Sequence, residues 1–296
     1  MADFKVLLSD RVKETEEIIR WYLPKEEGHQ KIIMEAMNYS MNAGGKRLRP
    51  LLLMESCRLF GGNIQEAAPF MAAMEMIHTS SLIHDDLPCM DNDQYRRGKK
   101  STWAQFGEDF GVLAGDGLIV EAFAAAGSAF DTTKHPKRAA RAFQILARKT
   151  GIYGMIGGQV VDVQLTNQPI PKEKLDFIYR LKTGALLEAS MMIGAVLGGA
   201  GEEECERISQ IALNVGVAFQ IQDDILDVTS SQEVLGKPAG SDEKNGKTTY
   251  VTLEGMEAAR AEVKRLSDEA SKLLLSLPGD REFLEQLIRM LITREK

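Results

Sequence analysis

Apolar residues recur every three or four positions through nearly the whole of this 296-residue chain. This is the period of a helix with one buried face, and no stretch shows the apolar–polar alternation of a half-buried strand. Hydrophobic residues make up 44% of the sequence, enough to bury a sizeable core. No linker separates regions of different composition. We therefore predict an all-α protein that forms a single domain over residues 1–296.

The charge and the cysteines exclude several classes of protein. A net charge of −7 argues against a nucleic-acid partner bound through a general basic field. Cys57, Cys89 and Cys205 are far apart and odd in number, so neither a disulfide framework nor a zinc site is indicated. The charged first segment is unlike a signal peptide, and no window of about 18 residues is apolar enough to span a membrane. We expect a cytoplasmic protein with no membrane span and no nucleic-acid partner.

Residues 74–98 join an apolar helical run to a cluster of charges, MEMIHTSSLIHDDLPCMDNDQYRRG. The run delivers Asp85 and Asp86 and must break at Pro88. Asp91 would point away from Asp85 on a continuous helix, but a break allows the chain to fold it back. Carboxylates about 4 Å apart repel by roughly 4 kcal/mol at an effective dielectric of about 20, and a divalent cation commonly offsets such repulsion.

A second acidic cluster, FQIQDDILD, occupies residues 219–227. Its polar residues follow the spacing i, i+3, i+4, i+7, which places them on one face of a helix in otherwise apolar sequence: Gln220, Asp223, Asp224 and Asp227. An isolated pair of aspartates is more often a solvated helix end. Two clusters, each on a long apolar helix, instead predict that the carboxylates face one another across a hollow and bind Mg²⁺, which prefers hard oxygen ligands.

Cations that suit a diphosphate accompany these clusters in the sequence. The segment GGKRLRP, residues 44–50, places three of them in a glycine-introduced turn before a helix. Arg96 and Arg97 follow the first acidic cluster, Lys182 interrupts an apolar helix, and Lys237 lies in a long polar loop. Arginine forks match the geometry of phosphate oxygens, which would also complete the shell of a magnesium ion. We therefore predict a substrate that carries a diphosphate.

At these residues the chain resembles the trans-isoprenyl diphosphate synthases, the farnesyl and geranylgeranyl diphosphate synthase family. The matching stretches occur in the family's order: GGKRLRP, HTSSLIHDDLPCMDNDQYRRG, GQVVDV, LKTGALL, FQIQDDILD and GKPAGSDEKNGKTTY. The resemblance implies the all-α isoprenoid synthase fold, with long helices around a deep central cavity, usually in a homodimer. It also implies the 1′–4 condensation of isopentenyl diphosphate with dimethylallyl or geranyl diphosphate, giving farnesyl (C15) or geranylgeranyl (C20) diphosphate.

The resemblance further implies roles for individual residues. Two Mg²⁺ on the allylic diphosphate would be bound by Asp85, Asp86 and Asp91, and a third by Asp223, Asp224 and Asp227, with Mn²⁺ as an alternative ion. The same diphosphate would be held by Arg96, Lys182 and Lys237, and that of isopentenyl diphosphate by Lys46, Arg49, His78 and Arg97. Thr183 and Gln220 would direct oxygen dipoles at the developing allylic cation, and with Lys182 they form the implied catalytic set. No side-chain base for the final loss of a proton is obvious, and the resemblance assigns that step to the released diphosphate. His84, beside the aspartate pair, is expected to have a structural role.

One departure from the family bears on the length of the product. Bacterial farnesyl synthases of this family commonly have tyrosine five residues before the first aspartate, where this chain has Ser80, followed by Ser81. Smaller side chains would deepen the pocket for the growing tail. One helical turn spans about 5.4 Å, close to one five-carbon unit, so the next barrier would lie near Met76 or Ile77. C20 as well as C15 products are therefore expected, and the likeness to short bacterial C15 enzymes keeps both open.

Three other functions share parts of this pattern. A terpene cyclase ionises similar substrates but needs no second diphosphate site, so Lys46, Arg49 and Arg97 argue against it. A head-to-head synthase of the squalene or phytoene type would lack GGKRLRP. A non-catalytic subunit that only binds a partner synthase would typically lose an aspartate motif, and both motifs are complete in this sequence.

Overall fold

The structure, a computed structural model, describes residues 2–166, 168–229 and 248–292. Within these residues the regular structure is helical apart from one antiparallel hairpin, β1 (Tyr95–Arg96) with β2 (Lys99–Lys100). The predicted all-α class is therefore confirmed. Most of the polar loop, including Lys237, lies outside the described residues.

The described helices are numbered in chain order. Those up to residue 132 are α1 (Ala2–Trp21), α2 (Lys31–Met41), α3 (Leu48–Leu59), α4 (Ile64–Asp85), α5 (Thr102–Phe106), α6 (Glu108–Gly127) and α7 (Ala129–Thr132). Those that follow are α8 (Pro136–Thr150), α9 (Met155–Gln164), α10 (Lys172–Ile178), α11 (Gly184–Gly198), α12 (Glu202–Thr229), α13 (Tyr250–Glu254), α14 (Met256–Leu275) and α15 (Glu282–Ile292). Between α10 and α11 the chain forms a π-helical turn, Tyr179–Thr183.

The chain divides into two compact units. The first comprises Met1–Met54 and Gly62–Phe143, and the second comprises Glu55–Gly61 and Gln144–Lys296. The first acidic cluster belongs to the first unit, and the second acidic cluster belongs to the second unit. The single domain that the sequence favours stays a prediction, as does the hollow between the two clusters.

Helix α4 is buried on all sides in the core of the first unit. This is the expected position for a helix that is apolar all round. Its largest fully buried side chains are Phe70, Met71, Met74, Met76 and Ile77. Its main packing partner is α6. The residues that precede the first acidic cluster are therefore held rigidly.

Close packing against α6 fixes the last turn of α4. A Cβ atom at Gly115 would lie 2.1 Å from His84 Nε2, so only glycine leaves room for the imidazole ring. The same nitrogen lies 3.3 Å from the carbonyl oxygen of Val112 and 3.6 Å from Asp116 Oδ1. These contacts commit His84 to helix packing, in agreement with the structural role that the sequence suggests for it.

Helices α11, α12 and α14 form the core of the second unit. Gly216 of α12 approaches α11 so closely that a Cβ atom there would lie 2.9 Å from the Cα of Gly184. The carboxylate of Glu188 is buried in this core, where it pairs with Lys149 Nζ and accepts a 2.5 Å hydrogen bond from Ser209 Oγ. A buried charge with both kinds of partner avoids the cost of an uncompensated ion.

Two helical segments within the described residues are long and apolar enough to cross a membrane, judged by length and composition alone. They are Glu108–Thr132 and Lys172–Gly198. In the second segment 78% of the apolar window is buried inside the protein, and in the first 39% is. Core helices of globular proteins pass the same test, so these segments do not outweigh the absence of a span that the sequence predicts.

Candidate active site

The chain reverses direction immediately after α4 and returns Asp91 to the end of that helix. The backbone N–H of Asp91 donates to the carbonyl oxygen of Asp85 at 2.9 Å, and that of Asn92 donates to Leu87 at 3.1 Å. Asn92 has a φ of 55°, a left-handed conformation that asparagine tolerates better than most residues. The reversal expected after Pro88 is therefore present, and it places the backbones of Asp85 and Asp91 in direct contact.

Asp86 differs from its neighbours because it is buried and paired. Its Oδ1 lies 2.6 Å from Nε of Arg96, which stands on β1 and also lies 3.5 Å from Asp93 Oδ2. Burial raises the pKa of Asp86 to about 6; Arg96 opposes this shift, while the charges of Asp93 and Asp85 add to it. The ion pair ties the hairpin to the end of α4. Asp86 as a metal ligand stays a prediction.

Four arginines of the first unit lie near enough to His78 for their charges to act on its imidazole, and they are called the arginine cluster: Arg47, Arg49, Arg96 and Arg97. Burial lowers the pKa of His78 well below its ordinary value, and the charges of Arg49, Arg97, Arg96 and Arg47 lower it further, in that order. The ring is therefore neutral at pH 7, and its surroundings are strongly positive. Such a preorganised group of guanidinium ions is suited to an anion.

Arg49 reaches this cluster with an unused donor. Burial lowers its pKa to about 10, partly offset by the carboxylate of Glu75, and Arg97 lowers it further. Its Nε is buried and forms no hydrogen bond within the part of the chain that the structure describes. A buried donor left without a partner costs free energy, and an incoming anion would satisfy it. Lys46, three residues earlier, is exposed.

The glycines of GGKRLRP allow Arg97 to lie against this segment. A Cβ atom at Gly45 would lie 2.8 Å from the guanidinium carbon of Arg97, and Gly45 has a φ of 133°. Arg97 also donates from Nη1 to the carbonyl oxygen of Gly44. The structure thus brings together two motifs that lie about fifty residues apart in the sequence.

Arg47 has a structural place that the sequence did not reveal. Its Nη1 donates to Glu75 Oε1 at 2.8 Å and its Nη2 to the carbonyl oxygen of Met41 at 2.7 Å, and both charged side chains are buried. Glu75 stands one helical turn before His78 on α4. Its position three residues before a histidine, in an otherwise apolar run, was the available signal that a buried counter-ion was present.

In the second unit, the residues of the second acidic cluster lie along α12 as the spacing predicts. Asp223 is half-buried, whereas Asp224 and Asp227 are buried. Asp224 Oδ2 accepts a hydrogen bond from the hydroxyl of Tyr179 at 2.5 Å and another from the backbone N–H of Tyr250 at 2.8 Å. Sequence reasoning missed both tyrosines because neither is near the cluster in the chain.

The π-helical turn presents the predicted lysine and threonine. Lys182 Nζ lies 2.6 Å from Asp162 Oδ2, and Thr183 Oγ1 donates to Gln220 Oε1 at 2.9 Å. A Cβ atom at Gly158 would lie 2.2 Å from the backbone nitrogen of Lys182, so α9 contacts the turn through a glycine. The motifs GQVVDV, LKTGALL and FQIQDDILD therefore meet in this unit. Single π turns are frequent at functional sites.

The carboxylates of the first cluster suit Mg²⁺ as part of its shell. Within the described residues, no group of three or more histidine, cysteine, aspartate or glutamate side chains is arranged to hold a metal ion. Mg²⁺ is commonly bound by one or two carboxylates and completed by water and substrate phosphates. Asp85 and Asp91, joined through their backbones and carrying hard oxygen donors, meet that requirement.

The residues expected to set product length are buried in α4. Ser80 is fully buried and donates from Oγ to the carbonyl oxygen of Ile77 at 2.9 Å, while Ser81 donates to that of His78 at 2.8 Å. Both hydroxyls are thereby satisfied by the helix itself. Met76 and Ile77 are fully buried as well.

Known proteins of similar sequence identify the family of this chain. The profile of the Polyprenyl synthetase family matches residues 30–275. Geranylgeranyl pyrophosphate synthase 11, chloroplastic, from Arabidopsis thaliana is 43% identical over 282 residues, which is 94% of this chain and 78% of the relative.

Solved structures extend the likeness to the fold. An FPP/GFPP synthase from Zymomonas mobilis, in its apo form, superposes with a TM-score of 0.87 at 32% identity, covering 99% of each chain. A geranyltransferase from Helicobacter pylori, complexed with magnesium and isoprenyl diphosphate, has a TM-score of 0.83 at 31% identity and covers 97% of this chain and 95% of its own.

The family profile covers most of the sequence, and the similar structures cover nearly all of it. The motifs that carry the resemblance also form the arginine cluster, the chain reversal between Asp85 and Asp91, and the π-helical turn. This chain therefore belongs to the polyprenyl synthetase family and is a prenyltransferase of the short-chain trans-isoprenyl diphosphate synthase type.

Proposed function

We propose that the protein condenses isopentenyl diphosphate with dimethylallyl and geranyl diphosphates, and that its arginine cluster binds the diphosphate of isopentenyl diphosphate. The observation that carries the proposal is the neutral His78 among guanidinium groups, with the buried Nε of Arg49 lacking a partner within the described residues. Arg97 and the exposed Lys46 complete this anion site. A terpene cyclase would need no such second site, so activity that requires isopentenyl diphosphate separates the two functions.

The residues of the second unit act on the allylic substrate in this proposal. As its carbon–oxygen bond breaks, negative charge grows on the departing diphosphate, and Lys182 stabilises that charge, with Lys237 and Arg96 as further cations that the family likeness suggests. Thr183 and Gln220 offer neutral oxygen dipoles to the allylic cation, which a strong nucleophile would trap. The released diphosphate accepts the final proton, since no described side chain is an evident base.

Mg²⁺ is the proposed metal, and it neutralises charge on the diphosphate when bound. Asp85 and Asp91 are the proposed ligands in the first unit, and Asp223 and Asp227 in the second, for three ions in total. Hard oxygen donors support this choice, as does the magnesium in the Helicobacter pylori geranyltransferase complex. Replacing Mg²⁺ by Mn²⁺ in the assay tests the alternative ion.

For the product, we propose C20 as well as C15. The position five residues before Asp85 holds a small serine that is fully buried and bonded to its own helix. The similarity to a geranylgeranyl pyrophosphate synthase supports the longer product. The test is to incubate the enzyme with isopentenyl and dimethylallyl diphosphates and to size the products. Ser80→Tyr should shift them to C15, and a wild-type product pool that stops at C15 contradicts the proposal.

A homodimer is the proposed assembly. Helix α6 exposes apolar side chains on one stripe, with Leu113 53% and Val120 70% accessible. Large exposed apolar side chains on one helix face favour a subunit interface. Light scattering should give about twice the 32.7 kDa chain mass, and Val120→Glu should return the protein to a monomer. A wild-type protein whose scattering gives the mass of one chain contradicts the proposed homodimer.

A cytoplasmic location is also proposed. Within the described residues, Cys57, Cys89 and Cys205 form no disulfide, as is usual in a reducing compartment. The relative from Arabidopsis thaliana is named chloroplastic. Cell fractionation followed by detection of the native protein decides between these locations.

A further inference from the structure

The carboxylate of Asp224 is buried and already accepts two hydrogen bonds, which is unusual for a side chain that is to bind a metal ion. It lies on α12 with 3% of its surface accessible. Its Oδ2 accepts hydrogen bonds from the Tyr179 hydroxyl at 2.5 Å and from the Tyr250 backbone N–H at 2.8 Å, and that N–H also lies 3.3 Å from the Tyr179 oxygen. The carboxylate oxygen, the hydroxyl and the amide therefore form a closed triangle inside the second unit.

The two donors stand at the first residues of two elements, the π-helical turn and α13. Tyr179 begins the π-helical turn, with Lys182 and Thr183 three and four residues later. Tyr250 is the first residue of α13, and it follows Thr249, which caps that helix through reciprocal hydrogen bonds with Thr252. In the sequence, α13 comes shortly after the polar loop that carries Lys237.

We propose that Asp224 is a positioning residue, which holds the π-helical turn in place through Tyr179 and thereby orients Lys182 and Thr183, rather than a ligand of Mg²⁺. This assignment rests on the function proposed for Lys182 and Thr183. A hydrogen bond to a carboxylate is roughly twice as strong as one between neutral groups, which makes Asp224 the firm point of the arrangement. Binding a metal through Oδ2 would require this buried oxygen to give up one of its two donors.

The π-helical turn is held at three points. Tyr179 bonds to Asp224, Lys182 pairs with Asp162 at 2.6 Å, and Thr183 bonds to Gln220 at 2.9 Å. Gln220 and Asp224 are one helical turn apart on α12, so a single rigid helix fixes both ends of the turn. π turns are rare, and this one is held by side chains from two other helices, Asp162 of α9 and Gln220 and Asp224 of α12.

Tyr179→Phe is the sharpest test because it removes only the hydroxyl and leaves all the carboxylates intact. We expect kcat to fall about tenfold, the size expected for loss of one hydrogen bond to a charged group. The Mg²⁺ concentration for half-maximal activity should remain that of the wild type. The matched control is Tyr153→Phe, the same change on an exposed ring in the same unit, which should leave both quantities unchanged.

A second measurement needs neither metal nor activity. Thermal unfolding in EDTA is recorded for the wild type, Tyr179→Phe, Asp224→Asn and the double variant. A shared anchor predicts that both single variants unfold at lower temperature than the wild type and that the double variant is no worse than Asp224→Asn, which is strong coupling in a double-mutant cycle. If Asp224→Asn does not fold, the kinetics of Tyr179→Phe decide alone.

Two results would overturn the assignment. One is wild-type kinetics and stability in Tyr179→Phe. The other is an Asp224→Asn enzyme whose requirement for Mg²⁺ rises tenfold or more, with additive unfolding effects. If the wild-type chain forms no prenyl product at all, the proposed function fails instead, and the coupling measured in EDTA still reports on the anchor.

Discussion

The two acidic clusters look alike in the sequence but are built differently. The first lies where a helix ends and the chain turns back, so that Asp85 and Asp91 meet through a backbone hydrogen bond. The second lies within one uninterrupted helix, α12. In both, however, the second aspartate of the Asp-Asp pair is buried and paired, Asp86 with Arg96 and Asp224 with Tyr179. One carboxylate in each cluster thus contacts an element that carries a cation, and the more accessible Asp85 and Asp223 are among the metal ligands that we propose.

The largest expected effect comes from removing an accessible carboxylate. Asp85→Ala, or Asp223→Ala in the other unit, should lower kcat about 10³-fold, because charge on the departing diphosphate loses a stabilising ion. The unfolding temperature in metal-free buffer should not fall, since repulsion among carboxylates is relieved. Asp10→Ala, an exposed aspartate on α1, is the control. A variant that keeps more than a tenth of the wild-type activity would contradict the proposed role of the accessible aspartates as metal ligands.

A smaller effect, on stability, distinguishes the buried Asp86. Burial raises its pKa from 3.8 to about 6, so between these values the folded protein binds more protons than the unfolded chain. The free energy of unfolding therefore falls as the pH rises from about 4 to about 6, by up to about 3 kcal/mol from this group. Asp86→Asn should remove that slope in urea titrations across this range. Asp10→Asn is the control, and an unchanged slope in Asp86→Asn would contradict the assignment.

The smallest expected effect concerns the second support of the π-helical turn. Lys182 and Asp162 are both partly accessible, so their ion pair contributes little in water, roughly 0–1 kcal/mol. Asp162→Asn should raise the KM for the allylic diphosphate less than about fivefold, and salt should diminish the difference. If Asp162→Asn lowers kcat/KM more than Tyr179→Phe does, Asp162, and not Asp224, is the main anchor of the turn.

The sequence predicted the features that depend on local periodicity. The stripe Gln220–Asp227 along one helix, the break at Pro88 and the return of Asp91 all follow from spacing and from the chemistry of proline. The pairing of Asp86 with Arg96, of Asp162 with Lys182 and of Asp224 with two tyrosines did not. These contacts join segments from ten to forty-five residues apart, so they depend on how helices pack, which periodicity does not report. Arg47 shows the same limit, because its motif suggested a ligand group and its contacts make it a buried counter-ion for Glu75.

The depressed basicity of His78 has a consequence for how substrate arrives. Burial, the largest cause of the low pKa, stays in place when an anion binds, but the anion offsets the charges of the arginines, so the pKa of His78 rises part of the way towards its ordinary value. In the proposed function, loading the cluster at mildly acidic pH is therefore coupled to the uptake of a fraction of a proton by His78. Calorimetry of isopentenyl diphosphate binding in buffers of different ionisation enthalpy would measure that proton, and tighter binding as the pH is lowered would accompany it.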